Sequence, residues 1–235
     1  MRHFMNKRME GLTVNRASIG ILLFILFVLL GTGAMGNISK SHKLSMGYKR
    51  TISTMNEVMQ ITDYERDKTF TSGTLIYMYV VEALMSRFKG TDCNRSKADV
   101  CNEILPYRTY NGKSPITDEI YSGGLKMSVG KQLLMFSSPT TTEDPVYIMV
   151  DFNGSNELPN RLGWDTFVFE IVDGKLLHMG DEDTQFPVSD YDFYCSSFST
   201  SSSDLLGVNC AYKLKNNKAY FKKLDFKKLE KELKK

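Results

Sequence analysis

The residues best suited to chemistry in this 235-residue chain lie between positions 151 and 183. Asp151, Asn153 and Asp165 offer oxygen ligands on a glycine-containing loop, the ligand type that calcium accepts. Gly154 directly follows Asn153, so the D-x-[DN]-x-[DN]-G order of an EF-hand is not met. Together with Pro159-Asn160 and Gly163, the same residues also fit an Asx turn, where a short carboxylate accepts nearby backbone N–H groups. The turn is the favoured reading and calcium the alternative. Asp181-Glu182-Asp183 forms a second acidic run, read as solvated loop.

Nucleophilic and nucleotide chemistry find less support. The histidines are His3, His42 and His178, and the first two flank an apolar segment. With His178 alone in the body, no Ser-His-Asp or Cys-His set can be assembled. The sequence contains no GxxxxGK[ST], GxGxxG or HExxH pattern. The chain therefore reads as a non-enzyme with no cofactor, calcium excepted. Cys93, Cys101, Cys195 and Cys210 allow three disulfide connectivities. The simplest joins sequence neighbours, Cys93–Cys101 and Cys195–Cys210. Their spacings do not match CxxC metal knuckles, which argues against zinc.

Positioning these residues requires a substantial fold. Hydrophobic residues make up 42% and charged residues 24% of the chain, which excludes a wholly disordered, collagen-like or multi-span membrane protein. Apolar residues recur every three to four positions at Leu44, Tyr48, Ile52, Met55, Val58 and Met59, predicting a helix over 41–63. A second helix is expected over 69–88 and a short helical turn over 94–105. From about 125 the texture becomes β-like, at 125–129, 132–136, 146–152, 166–172 and 175–179. Asp173-Gly174 is a hairpin signal. A last strand is expected over 208–214, after a long Ser-rich loop, so the sheet is placed at about 125–214. Helices followed by antiparallel strands make an α+β order.

Charge is distributed unevenly. The net +3 conceals a basic head over 1–16, a mildly acidic body over 17–212 and ten lysines against three acids over 213–235. That arrangement does not make a nucleic-acid groove. Residues 17–39 carry no charge and are long enough to span a bilayer as a helix. Arg2, Lys7, Arg8 and Arg16 precede them, so the N-terminus is expected in the cytoplasm and the body outside. Ala34-Met35-Gly36 would suit signal-peptide cleavage, but continuation into the 41–63 helix favours a retained anchor. An outside location agrees with disulfides. The Lys-rich tail, 213–235, places Tyr220, Leu224, Leu229 and Leu233 at near-helical spacing. It reads either as a solvated, partly frayed helix, which is favoured, or as a basic amphipathic helix touching anionic lipid or an acidic partner.

Gly11-Leu12-Thr13-Val14, Arg16 and the following apolar segment resemble the start of type IV prepilins and type II secretion pseudopilins. Val150-Asp151-Phe152-Asn153-Gly154, Pro159-Asn160, Leu162-Gly163 and Asp165–Phe169 are similar to a segment of prepilin-like proteins, and Cys195 through Cys210-Ala211 to their cysteine-closed end. The resemblance implies a pilin-like α+β fold: a long membrane-anchored N-terminal helix followed by a small antiparallel β-sheet head spanning 40–212. It also implies cleavage between Gly11 and Leu12, and assembly with other pilin-like subunits or secretion-system components. Arg16 stands where the family has a glutamate that meets a neighbour's N-terminal amine, so it bears on assembly. Calcium sites known in some pseudopilins add to the case for Asp151, Asn153 and Asp165. The expected role is a minor or atypical structural subunit at the cytoplasmic membrane. The alternative is a solitary membrane-tethered binding protein that does not assemble.

Overall fold

The computed structural model describes residues 40–62, 73–93, 106–116, 125–137, 139, 141, 144–196 and 202–234. Gly11, Leu12, Arg16, the charge-free segment 17–39, Cys101 and the expected turn at 94–105 lie outside the described residues, Leu105 included. His42–Lys235 forms a compact unit of its own. No helix among the described residues is long and apolar enough to cross a membrane.

The architecture is α+β. Helix α1 runs over residues 40–62 and helix α2 over Gly73–Ser86. Six strands follow: β1 (Thr91–Asp92), β2 (Lys126–Val129), β3 (Gln132–Phe136), β4 (Val146–Asp151), β5 (Thr166–Val172) and β6 (Lys175–His178). They form one antiparallel sheet in sequential order, a meander. Each strand therefore pairs with its neighbour in chain order, and no crossover is required. The β5–β6 turn is Asp173-Gly174, with φ of 49° and 71°, the left-handed pair that a two-residue hairpin needs.

Both faces of the sheet are covered, which explains why β3, β4 and β5 read as continuous apolar runs rather than as alternation. One face carries Leu134, Phe136, Ile148, Val150, Phe167 and Phe169 and belongs to the same core as Leu44, Met55, Val58 and Met59 of α1. Each of these α1 side chains contributes about 1.5–3 kcal/mol through burial. The opposite face carries Leu133, Met135, Tyr147, Met149 and Val168, packed with Tyr107, Met179, Phe186 and Val208.

The C-terminal region departs from expectation. No strand forms over 208–214, and the sheet ends at His178 rather than near 214. Helix α3 (Val188–Tyr191) and a 3₁₀ turn (Asp192–Cys195) interrupt the expected loop. Helices α4 (Cys210–Asn216), α5 (Tyr220–Lys223) and α6 (Phe226–Leu233) follow. The stretch Val208–Leu214, with Asn209 and Lys213 among its apolar residues, suits a strand or a helix equally, and periodicity over so few residues cannot separate them. The tail is no frayed addition either: Leu214, Tyr220, Phe221 and Phe226 are buried in the main core, and Leu229 is 2% exposed. Position 213 falls inside α4, so no boundary separates head from tail there.

Candidate functional site

The segment from Asp151 to Thr166 leaves the end of β4 and returns as the start of β5, where Asp151 pairs with Thr166. By strand alternation Asp151 shares the face of Tyr147 and Met149. There the Tyr107 hydroxyl donates to Asp151 Oδ2 at 2.8 Å. Asp151 Oδ1 accepts from the backbone N–H groups of Asn153 and Gly154, at 3.1 and 2.9 Å. Asp165 forms a matching cap at the other end of the segment. Its carboxylate accepts from the N–H groups of Asn160 and Arg161, both at 2.9 Å, and from the Thr166 hydroxyl at 3.2 Å. Asp151, Asn153 and Asp165 are thus brought together, and in the arrangement that the Asx-turn reading anticipates.

Both carboxyls are completely buried. Burial pushes the Asp151 carboxyl well above the usual carboxylate range, and the Asp165 charge adds to the rise. Burial raises Asp165 as well, although its N–H donors oppose the shift. Two like charges share one dry turn, an arrangement that favours keeping a proton.

The backbone geometry demands particular residues. Gly154 has φ of 87°, and a Cβ there would collide with the Lys131 carbonyl oxygen of the β2–β3 turn. Gly163 has φ of 76° and lies against Tyr110 and the Cys210 sulfur. Asn160, at φ 50°, is an asparagine where a left-handed residue is needed. Around this turn a cavity of about 190 Å³ is lined by Lys131, Asn153, Gly154, Ser155, Asn156 and Glu157. Asn153 Oδ1, Ser155 Oγ and Asn160 Oδ1 are buried without a hydrogen-bond partner.

The turn is also fastened to the C-terminal helices. Tyr220 donates to the Gly163 carbonyl at 2.8 Å. The Trp164 indole donates to the Tyr110 carbonyl at 3.0 Å, and its ring meets Phe226 edge-on at 5.7 Å. Arg161 reaches Glu232 at 3.7 Å. Cys195 and Cys210 form the expected disulfide, and the Cys210 sulfur lies against Gly163. Cys93 is disulfide-bonded too, and its expected partner Cys101 lies outside the described residues.

Several participants carried no sequence signal. Tyr107 is 44 residues from Asp151 and sits within a segment, 64–124, that matches no motif. Arg161 and Trp164 lie between motif residues, and their polar reach to Glu232 and Tyr110 depends on partners 71 and 54 residues away in sequence. His178 is in β6 as expected for a plain strand residue, 8% exposed and hydrogen-bonded to Tyr48. Asp181 is bound by Lys215 at 2.9 Å and accepts from the His178 N–H, whereas Glu182 and Asp183 are exposed.

Chemically, the turn supplies acceptors to its own backbone. Among the described residues, no group of three His, Cys, Asp or Glu side chains is placed to hold a metal ion. No protein-family model matches this chain, and neither the curated proteins nor the solved structures contain a match.

Proposed function

We propose that the chain is a membrane-anchored, pilin-like structural subunit of a type IV pilus or type II secretion pseudopilus, minor or atypical in kind. The observation that carries this reading is α1. Its apolar face is buried in the core of an antiparallel sheet, and in sequence it follows without interruption from the charge-free residues 17–39. The Gly11-Leu12 start and the Asp151–Phe169 segment support it, the latter as the turn that joins β4, β5 and the C-terminal helices. The head is placed outside the cytoplasmic membrane, consistent with a disulfide at Cys195–Cys210. Its work is assembly rather than catalysis, with other pilin-like subunits or secretion components as partners.

A second reading, a solitary membrane-tethered binding protein, is favoured by Arg16, which would repel a neighbour's amine instead of neutralising it. Intact-mass analysis of the native protein separates the two. A mature terminus at methylated Leu12 supports the pilin-like reading, Met1 retained supports the simple anchor, and a terminus at Asn37 removes both.

Calcium at Asp151, Asn153 and Asp165 belongs to the same proposal. Two buried carboxyls and three unpartnered oxygens fit a hard cation, while the N–H groups already bound to both carboxyls fit the turn alone. A bound cation would favour ionisation of both carboxyls. Millimolar calcium should then raise the melting temperature of the wild type and not of Asp151→Asn; equal melting with calcium or chelator assigns the turn a structural role only.

A further inference from the structure

Arg161 is a buried charge whose compensation is incomplete. The residue is 8% exposed, and its Nε lies buried without a hydrogen-bond partner. Glu232 of α6 faces it at 3.7 Å, too far for a hydrogen bond, and that side chain is half exposed. The Asp165 charge is also felt at Arg161, but its carboxylate already accepts from the N–H groups of Asn160 and Arg161 and from the Thr166 hydroxyl. A guanidinium out of water is stable where its forked N–H groups meet an oxyanion.

A second guanidinium stands beside the first. Arg108 and Arg161 are direct partners in a parallel bridge. The Arg108 N–H donates to the Asn160 carbonyl at 3.0 Å, and the Leu162 N–H donates to the Arg108 carbonyl at 2.9 Å. Partners in register project to the same side, about 5 Å apart. Burial lowers the Arg161 pKa, Glu232 opposes that shift, and the Arg108 charge adds to it. The Arg161 guanidinium rests directly on Gly112, whose φ is 73°; a Cβ there would occupy the same space. Asn111 Oδ1 fixes that turn by accepting from the Lys113 N–H at 3.0 Å and the Thr109 hydroxyl at 3.2 Å. Lys113, next to Gly112, is exposed.

We propose that Arg108 and Arg161 bind a dianionic phosphate group, free or as a phosphomonoester, which displaces the Glu232 carboxylate from its place beside Gly112. A carboxylate brings one charge to two guanidiniums, and the one present stands off at 3.7 Å. A phosphate brings nearly two charges and three acceptor oxygens, enough to engage both forks at once. Glu232 is the competitor: a long ion pair from a half-exposed side chain on the last turn of α6 is weak and yields readily. The site lies wholly within the head and operates whether or not the chain assembles.

The test titrates inorganic phosphate into the purified full chain at about pH 8, where phosphate is dianionic, with ionic strength held constant. Binding is read by calorimetry and by the fluorescence of Trp164, the chain's single tryptophan, which packs against Phe226 of α6. The expected result is millimolar binding by the wild type, about ten-fold tighter binding by Glu232→Gln, and about ten-fold weaker binding by Arg108→Gln. Positions 108 and 232 are both exposed, so neither change threatens the fold, and equal melting without phosphate verifies this. Glu232→Gln binding no tighter than the wild type, or Arg108→Gln binding equally well, overturns the site. Acetate binding as tightly as phosphate overturns the phosphate assignment. Glycerol 3-phosphate separates the two sources: affinity equal to phosphate supports a phosphomonoester, and much weaker affinity supports free phosphate.

Discussion

Tyr48 on α1 and His178 on β6 stand 130 residues apart in sequence and share a hydrogen bond of 3.0 Å. Their rings also pack edge to face, with centroids 6.0 Å apart. This contact joins the long helix to the last strand of the sheet and extends, through Asp181, to Lys215 of α4.

Burial lowers the His178 pKa to about 4, more than the Asp181 charge raises it. The folded protein thus keeps the imidazole neutral, while an unfolded chain takes up a proton near pH 6.5. The unfolded state binds more protons between those values, so this group's contribution to stability falls as pH drops from about 6.5 to about 4. An NMR titration should place the His178 midpoint near 4; a midpoint near 6.5 would refute its burial against Tyr48. Tyr48→Phe should cost about 1–3 kcal/mol in urea unfolding at pH 7, because it leaves a buried imidazole nitrogen without its partner.

The Asp151 carboxyl shifts in the opposite sense. Its folded pKa is raised, chiefly by burial and then by Asp165, so the folded state binds the extra proton. Its contribution to stability is complete below the ordinary carboxylate range, near pH 4, and declines as pH rises toward the raised value. Asp151→Asn keeps an oxygen for the Asn153 and Gly154 N–H groups and carries no charge. The variant should gain on the wild type as pH rises from about 4 to about 8 and no further above that, by about 1.4 kcal/mol for each unit of displacement removed. A stability difference independent of pH would show that Asp151 is not held in its protonated form.

Phe226 tests the role of the C-terminal helices. It is 1% exposed and meets Trp164 beside the Asp165 turn. Phe226→Ala should destabilise the head by about 3–5 kcal/mol, measured by denaturant unfolding. A solvated terminal helix would instead change stability by less than about 0.5 kcal/mol.

Arg16 tests assembly. If the chain joins a filament through the charge pairing of its suggested family, Arg16→Glu should increase the fraction recovered in sheared surface filaments. If Arg16 only flanks an anchor, the change removes one of four positive charges and weakens orientation, read as lost protease accessibility of the head. Absence of both forms from filaments, with exposed heads, favours the tethered binder.

Local pattern by itself determined much of this head. The helical period from Leu44 to Met59, the β runs at Gln132–Phe136 and Thr166–Val172, and the Asp173-Gly174 turn all match the observed elements. Asp151, Asn153 and Asp165 could be grouped because a single excursion between adjacent strands carries them, and the near-neighbour pairing of Cys195 with Cys210 follows from a short loop. Tertiary structure alone decided the rest. Cys210–Leu214 is helical because Cys210, Ala211 and Leu214 pack as one helix face into the core, a choice that so short a stretch of sequence leaves open. Tyr220 and Leu229 read in sequence as one side of a solvated amphipath, and only the folded head buries them. Tyr107 reaches Asp151, and Tyr48 reaches His178, across 44 and 130 residues. Contacts at such separations depend on how the whole chain closes on itself, because a side chain's own neighbours in sequence carry no record of the surface it will meet.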